Sequence, residues 1–347
     1  MSDNYKKFKG LIIGGGSIGE RHLYNLKNLG LKNLAVYDLD KKRVKQLSKK
    51  YNVLGFYDLD SALSIEPNFS IIGTFPTSHV KIGKICVNSN SHIFIEKPIS
   101  NDLQGIQNML KIAESKKLSV AVGYNLRFDK GLQLLKRKLY EGKIGKSLSV
   151  IAQFGHHIKF WRPNTDYKTH YILRKGSGII LDGSHEYDYL RWILNSEVSS
   201  VYCQTKKIGN VKTETESIAS ILLKFQNNII ASLNIDYVRP NYERECHVIG
   251  ENGDLKWRYD LSTSAASNYR KKVNSKLIIR TLSTNSETIF HNNIRVNDMY
   301  VAEMKDFLDS ILYGRKPAVD GWDSVKTLKI GLAALESSKK NKVIKID

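Results

Sequence analysis

Glu96 and Lys97 are the first candidates for proton-transfer chemistry. They end the stretch IFIEKPIS, residues 93–100, where three apolar residues typical of a buried strand run into a charged pair and a proline. A lysine acts as a general base when its surroundings lower its pKa, or stays charged and stabilises an alkoxide. An exposed turn is the competing interpretation, and a Lys-Pro bond at a tight turn is a candidate for the cis form.

A second group of polar residues lies in GSGIILDGSHEYDYLRW, residues 176–192. Asp182, His185 and Asp188 follow an apolar run at three-residue intervals, which places them on one face of a helix. They are the candidate partners of Lys97. A metal site is the competing interpretation, but no further His or Cys lies at ligand spacing, so we predict no metal.

A glycine-rich segment precedes both groups. Gly14-Gly15-Gly16-Ser17-Ile18-Gly19 has the G-x-G-x-x-G spacing that lets a backbone turn approach a pyrophosphate and a helix pack closely. Apolar residues 11–13 precede it and a helical pattern follows, so we predict a dinucleotide site. The predicted contacts are Gly14, Gly16, Ser17, Ile18 and Gly19.

The choice between NAD and NADP depends on Asp38, which ends the second strand pattern 19 residues after Gly19. An acid at this place binds the adenosine ribose hydroxyls and would repel a 2′-phosphate, so we predict NAD. Lys41, Lys42 and Arg43 keep NADP open as the alternative, although a solvated helix start explains them equally well.

Ligands of an open parallel sheet bind beyond the carboxyl ends of its strands. Glu96 and Lys97 lie at one such end, and GTFPTSH, residues 73–79, follows the preceding strand. The predicted cofactor contacts here are Thr74, Phe75, Pro76, His79, Glu96 and Lys97. A plain helix-start role is the alternative for His79, and Glu96 either orients the cofactor or pairs with a neighbour.

The elements around these residues alternate up to about residue 124, which predicts a doubly wound parallel Rossmann sheet. The predicted strands are residues 10–14, 33–38, 69–75, 92–96 and 119–124. The predicted helices are residues 17–29, 41–51, 79–88 and 103–116, the last capped by Asn101 or Asp102.

After residue 145 the segments become longer and β-rich, with hairpin signals at Asn227-Asn228 and Gly250 to Gly253. We predict an α/β domain with an open, mainly antiparallel sheet and two closing helices at about 298–312 and 323–337. The predicted domains are 1–124 for NAD(P) binding and 125–347 for substrate and oligomerisation, with the last helix able to pack back on the first domain.

Composition excludes several classes of protein. The 54 Lys and Arg residues against 34 Asp and Glu give a net charge of +20, but they are spread along the chain without a nucleic-acid motif, so we predict no nucleic-acid partner. An anionic small molecule fits the charge equally well. Three separated cysteines, a polar amino terminus and no long apolar run predict a cytoplasmic protein without disulfides or membrane spans.

Taken together, these stretches resemble the Gfo/Idh/MocA oxidoreductases, a family of sugar and cyclitol dehydrogenases with a Rossmann domain and a carboxy-terminal α/β domain. The match rests on GGGSIGERH (14–22), Asp38, FIEKP (94–98), VGYNLRF (122–128), WRP (161–163) and LDGSHEYDYLRW (181–192). The resemblance implies that Lys97 is catalytic and that His185, assisted by Asp182, acts on the reacting hydroxyl.

The resemblance also implies contacts in the cleft. Tyr124 and Arg127 resemble positions that line the cofactor or substrate cleft, and Trp161 and Arg162 look like nicotinamide-side or substrate-side contacts. Two departures weaken the transfer: Phe75 interrupts the usual Thr-Pro pair, and Asp182 precedes His185 by three residues where many members have four.

The expected function is an NAD-dependent oxidoreductase that transfers a hydride between nicotinamide and a secondary alcohol or ketone of a sugar. A nucleotide-linked or acidic sugar would suit the positive charge, and Lys97 and His185 would form the acid/base pair. We expect a homo-oligomer, a dimer or tetramer. The alternative is a non-catalytic NAD-binding sensor or assembly protein on the same fold.

Overall fold

The computed structural model describes residues 5–160, 171–207, 213–260 and 272–346. The chain divides into two compact units, which meet in sequence between Tyr124 and Asn125. The first unit comprises Met1–Tyr124 and Tyr300–Val325, and the second comprises Asn125–Met299 and Lys326–Asp347. The segment Tyr300–Val325 thus groups with the first unit, although the sequence assigns it to the second domain.

The described part of the first unit contains a six-stranded sheet in the order β3-β2-β1-β4-β5-β6, with every neighbouring pair parallel. Its strands are β1 (Lys9–Ile13), β2 (Asn33–Tyr37), β3 (Leu54–Phe56), β4 (Phe69–Ile72), β5 (His92–Ile95) and β6 (Val120–Val122). The predicted Rossmann sheet is confirmed. The sequence missed β3 because its three residues are largely exposed and form no apolar run.

Helices connect these strands: α1 (Ser17–Asn28), α2 (Lys41–Tyr51), α3 (Leu59–Leu63), α4 (Pro76–Asn88) and α5 (Ile106–Ser115). Helix α4 begins three residues before the predicted start, since a proline at the first helical position loses no hydrogen bond. The predicted cap of α5 was wrong. Its N-cap is Gly105, in the left-handed region with φ 75°, and the Asp102 carboxylate instead accepts the Gln104 N–H within the preceding turn.

The second unit has a nine-stranded sheet among its described residues, in the order β14-β13-β12-β11-β7-β10-β9-β8-β15. Its strands are β7 (Ser147–Gly155), β8 (Val198–Lys206), β9 (Ile218–Phe225), β10 (Ile230–Asp236), β11 (Glu243–Gly250), β12 (Gly253–Asp260), β13 (Lys272–Thr281), β14 (Thr284–Arg295) and β15 (Ile344–Lys345). Only β7 and β10 pair in parallel, which confirms the predicted, mainly antiparallel sheet. Both predicted hairpins, β9–β10 and β11–β12, are present.

The remaining helices are α6 (Lys130–Tyr140), α7 (Ile179–Asp182), α8 (His185–Leu194), α9 (Asn297–Tyr313) and α10 (Gly321–Lys340). In the first unit α9 shares a core with α1: Phe307 packs edge-to-face against Phe69 of β4 and Phe94 of β5, with ring centroids 5.9 and 5.7 Å apart. No helix among the described residues is long and apolar enough to cross a membrane.

Candidate active site

The loop between β1 and α1 forms a close-packed backbone cradle. Gly14 has φ 98°, in the left-handed region that favours glycine, and its N–H donates to the Tyr37 carbonyl at 2.9 Å. A Cβ at Gly19 would lie 1.9 Å from the Gly14 carbonyl oxygen, whereas a Cβ at Gly16 would meet nothing within 4 Å. Gly19 therefore lets α1 pack against the loop, and Gly16 leaves open space where a phosphate can approach.

Asp38 lies against this cradle at the end of β2. Its Oδ2 accepts the Gly15 N–H at 2.6 Å and its Oδ1 accepts the Asp40 N–H at 2.8 Å. Arg43, the best placed of the neighbouring cations, donates from Nε to the Gly15 carbonyl at 2.6 Å and pairs with Glu20. The Arg43 guanidinium is therefore hydrogen-bonded to the loop, so this guanidinium is less available to bind a 2′-phosphate.

The loop after β4 adjoins the cradle, because the Gly73 carbonyl oxygen and the Thr74 side chain lie 2.8 and 3.1 Å from the position of a Cβ on Gly14. His79 is buried beneath this loop, with Nε2 3.1 Å from the Thr74 carbonyl and Nδ1 2.9 Å from that of Pro98. Burial lowers the pKa of His79, and the neutral ring, which has a single N–H, donates to one of these two carbonyl oxygens. Phe75 is 56% exposed, and its carbonyl oxygen accepts hydrogen bonds from the Ser78 N–H and hydroxyl at 2.9 and 2.8 Å.

Lys97 lies in the turn after β5, half-buried, and the Lys97-Pro98 peptide is cis, as the sequence suggested. Its backbone N–H is 3.3 Å from Oε2 of Glu96. Glu96 is buried, and its Oε1 lies 2.7 Å from Nε2 of His22 on α1. The sequence left two roles open for Glu96, orienting the cofactor or pairing with a neighbouring residue. Its contacts with His22 and the Lys97 backbone correspond to the second role. The sequence did not single out His22.

The second group of candidates lies in the second unit, where α7 ends at Asp182 and α8 begins at His185. Both side chains are half-buried. Helix α7 is fixed by Glu216, whose carboxylate accepts the Ile180 N–H at 3.0 Å. A Cβ on Gly178 would lie 2.2 Å from that carboxylate, so the glycine makes room for it. Burial raises the pKa of Glu216.

Asp188 and Arg127 form a buried ion pair in the same unit. The guanidinium donates to both carboxylate oxygens, at 2.8 and 2.7 Å, and the two side chains are 1% and 8% exposed. The Thr327 hydroxyl also donates to Asp188 at 2.9 Å. The single helical face predicted for Asp182, His185 and Asp188 was wrong: Asp182 ends α7, His185 begins α8, and Asp188 pairs with Arg127 in the interior.

The other predicted contacts have simpler outcomes. Tyr124, the last residue of the first unit's amino-terminal segment, is fully buried. Trp161 and Arg162 lie outside the described residues. Two residues of α9 that the sequence gave no reason to select, Tyr300 and Glu303, lie in the first unit beside His22 and Glu96.

Comparisons with known proteins agree with this arrangement. A model of the oxidoreductase family with an NAD-binding Rossmann fold matches residues 8–124, and a GFO/IDH/MocA C-terminal domain model matches residues 132–256. The chain belongs to the Gfo/Idh/MocA family of oxidoreductases. Its first unit is accordingly an NAD-binding Rossmann domain.

Individual relatives cover nearly the whole chain. Myo-inositol 2-dehydrogenase of Thermotoga maritima is 26% identical over 354 residues, covering 97% of this chain and 98% of the relative. D-apiose dehydrogenase of Rhizobium rhizogenes is 23% identical and covers 99% of each chain. The crystal structure of myo-inositol 2-dehydrogenase from Lactobacillus plantarum has a TM-score of 0.79 at 21% identity, covering 98% of this chain and 99% of that one. That structural likeness establishes the fold.

Proposed function

We propose that this family member is an NAD-dependent dehydrogenase that transfers a hydride between C4 of nicotinamide and a secondary alcohol or ketone of a sugar or cyclitol. The observation that carries the proposal is the position of Lys97. Its turn follows β5, next to β4, whose own loop contacts the glycine cradle after β1. A dinucleotide bound across these strand ends would have its nicotinamide half on the Lys97 side.

In this proposal Lys97 and His185 are the acid/base pair for the hydroxyl proton, and Asp182 orients His185. Glu216 and Gly178 support the assignment because they fix the short helix that ends at Asp182. The names of the relatives, inositol and apiose dehydrogenases, support a polyhydroxylated substrate. The net charge of +20 favours an acidic or nucleotide-linked sugar among these.

The proposed cofactor is NAD rather than NADP. Asp38 presents a carboxylate beside the cradle, and Arg43 is already bonded to Gly15 and Glu20. A 2′-phosphate would therefore meet a negative charge without a free guanidinium to balance it.

We also propose a homo-oligomer built on the second unit. Ile151, Leu222 and Ile230 are each between 48% and 54% exposed on one face of the sheet, on strands β7, β9 and β10. A second copy that covers this surface would remove apolar area from water. Light scattering of the purified protein tests this, and a strictly monomeric mass would contradict it.

The main experiment is a screen of free and nucleotide-linked sugars and cyclitols with NAD and NADP, read at the absorbance of the reduced cofactor. With the best substrate, Lys97→Ala should lower turnover about 100-fold or more, because an acid/base group is lost, while NADH binding stays nearly intact. Lys81→Ala, an exposed lysine on α4, is the matched control. Equal turnover in Lys97→Ala and the parent would refute the role of Lys97, and tight NADH binding without any turnover would favour a sensor.

A further inference from the structure

Three ionisable side chains from distant parts of the sequence meet inside the first unit. His22 of α1 is 0% exposed, Glu96 after β5 is 8% exposed and Glu303 of α9 is 3% exposed. One ligand-type atom from each lies within 4.8 Å of the other two. We call these three residues the Glu303 cluster. It adjoins the turn that carries Lys97, because the Lys97 backbone N–H donates to the Glu96 carboxylate.

Glu303 has an unusual hydrogen-bond environment. In the described part of the chain, no donor reaches either of its carboxylate oxygens. An ionised carboxylate only accepts hydrogen bonds, and burying one without a donor costs several times the value of an ordinary hydrogen bond. A carboxylate oxygen of Glu96, a second acceptor, lies within 4.8 Å of a Glu303 oxygen. A proton or a metal ion shared by the two carboxyl groups would remove their repulsion.

The distances favour a proton. With metal–ligand bonds of about 2.0–2.2 Å, two ligands of a tetrahedral ion lie about 3.4 Å apart. His22 Nε2 and Glu96 Oε1 are 2.7 Å apart, which is the length of a direct hydrogen bond and too short for two ligands of one ion. A metal would have to break this bond in a site from which water is excluded.

The charges around the cluster lead to the same choice. The Arg21 guanidinium of α1 lies 4.3 Å from the ring centroid of Tyr300 and attracts the Glu303 carboxyl, and the Lys97 cation acts on the Tyr300 hydroxyl. A divalent ion would add two positive charges beside these two cations, whereas a proton adds only one. Burial, reinforced by the negative charge of Glu96, raises the pKa of Glu303 well above its usual range.

We propose that Glu303 is a neutral carboxylic acid that donates a hydrogen bond to the Glu96 carboxylate and thereby positions the turn that carries Lys97. Glu96 would then accept from three sides: from Glu303, from His22 and from the backbone of Lys97. Gly123 leaves the room for this carboxylate, since a Cβ there would lie 3.2 Å from both oxygens. Glu303 is a positioning residue, and its kinetic effect rests on the proposed role of Lys97.

The kinetic test compares two substitutions of Glu303. Glu303→Ala should lower kcat at least tenfold with little change in KM, and Glu303→Gln should restore it to within about threefold of the parent, because an amide is neutral and still donates. Glu96→Gln should cost at least tenfold, since the charged acceptor is lost. The control is Glu336→Gln, on α10, where the glutamate side chain is 43% exposed and pairs with Lys340. If Glu303→Gln were as damaging as Glu303→Ala, Glu303 would act as an anion and the proposal would be overturned.

Two measurements separate this proposal from the proposed function, because neither needs turnover. The infrared difference spectrum, parent minus Glu303→Gln at pH 7, should contain the carbonyl stretch of one protonated carboxylic acid, which separates Glu303 from other buried acids such as Glu216. Elemental analysis of the purified parent should find no divalent metal at one equivalent per chain. A missing carbonyl band, or a stoichiometric metal removed by Glu303→Gln, would overturn the neutral acid even if Lys97 proved catalytic.

Discussion

Substitution of Gly19 by alanine tests whether the cradle is built by close packing of backbone on backbone. The added Cβ would lie 1.9 Å from the Gly14 carbonyl oxygen, and separations under 3.0 Å are essentially never seen for real Cβ atoms. The position of a Cβ is fixed by its backbone and the carbonyl oxygen is itself backbone, so no side-chain rotation relieves the contact and α1 must move by about 1 Å. Gly16→Ala is the matched control, since its Cβ would meet nothing within 4 Å and its φ is −62°.

The expected magnitude follows from the cost of overpacking. Forced shifts in a packed region cost about 1–3 kcal/mol, and a backbone clash belongs at the upper end, near about 3 kcal/mol. In domains of 150–250 residues, each kcal/mol lowers Tm by about 2–4 °C, so Gly19→Ala should lose roughly 6–12 °C. Gly16→Ala should keep the parent's Tm or gain slightly, because alanine restricts the unfolded chain.

The assay is thermal unfolding without ligand, followed by NADH titration of both variants. Gly16→Ala should bind NADH more weakly although it is stable, because its methyl group occupies the space through which a pyrophosphate would approach the backbone. Gly19→Ala should lose both stability and binding. A Tm of Gly19→Ala within 2 °C of the parent, or a large loss of stability in Gly16→Ala, would refute this account of the loop.

Two further predictions concern buried charges. Asp188→Asn should destabilise the second unit by about 3–5 kcal/mol, because Arg127 is left buried without its anion, and denaturant unfolding should find the Arg127→Met/Asp188→Leu double variant more stable than Asp188→Asn. The raised pKa of Glu303 makes its contribution largest below the unfolded value of about 4.3 and diminishes it as pH rises towards the folded value. The unfolding free energy of the parent relative to Glu303→Gln should therefore fall between pH 5 and pH 8, and a flat or rising difference would contradict a neutral Glu303.

Local sequence was enough to predict where candidate residues lie when they belong to one strand–loop–helix unit. The cradle at residues 14–19 depends on glycines at fixed spacing. Asp38 and Lys97 follow apolar runs that form strands β2 and β5. In each case the neighbours in sequence are also the neighbours in space. The choice of turn residues therefore carried the information directly.

Contacts between residues that are far apart in the sequence could not be predicted from local sequence patterns. Glu96 is 74 residues from His22 along the chain, and nothing near Glu303 distinguishes it from a surface glutamate of an amphipathic helix. Helical spacing predicted a helix at Asp188, which lies on α8, but could not reveal that Arg127 would neutralise it. Tertiary packing decides which polar residue contacts substrate and which contacts another side chain. The periodicity of the sequence contains no information about that choice.

The segment Tyr300–Val325 belongs to the first unit, but the ribosome synthesises it after most of the second unit. Phe307, which packs against Phe69 and Phe94, emerges from the ribosome only after strands β7 to β14 of the second unit. Until then a nascent Rossmann unit exposes an apolar surface, the condition under which chains aggregate or recruit chaperones. Residues 1–124 expressed alone would keep that surface exposed to water, so we expect this segment to aggregate more readily than the full chain.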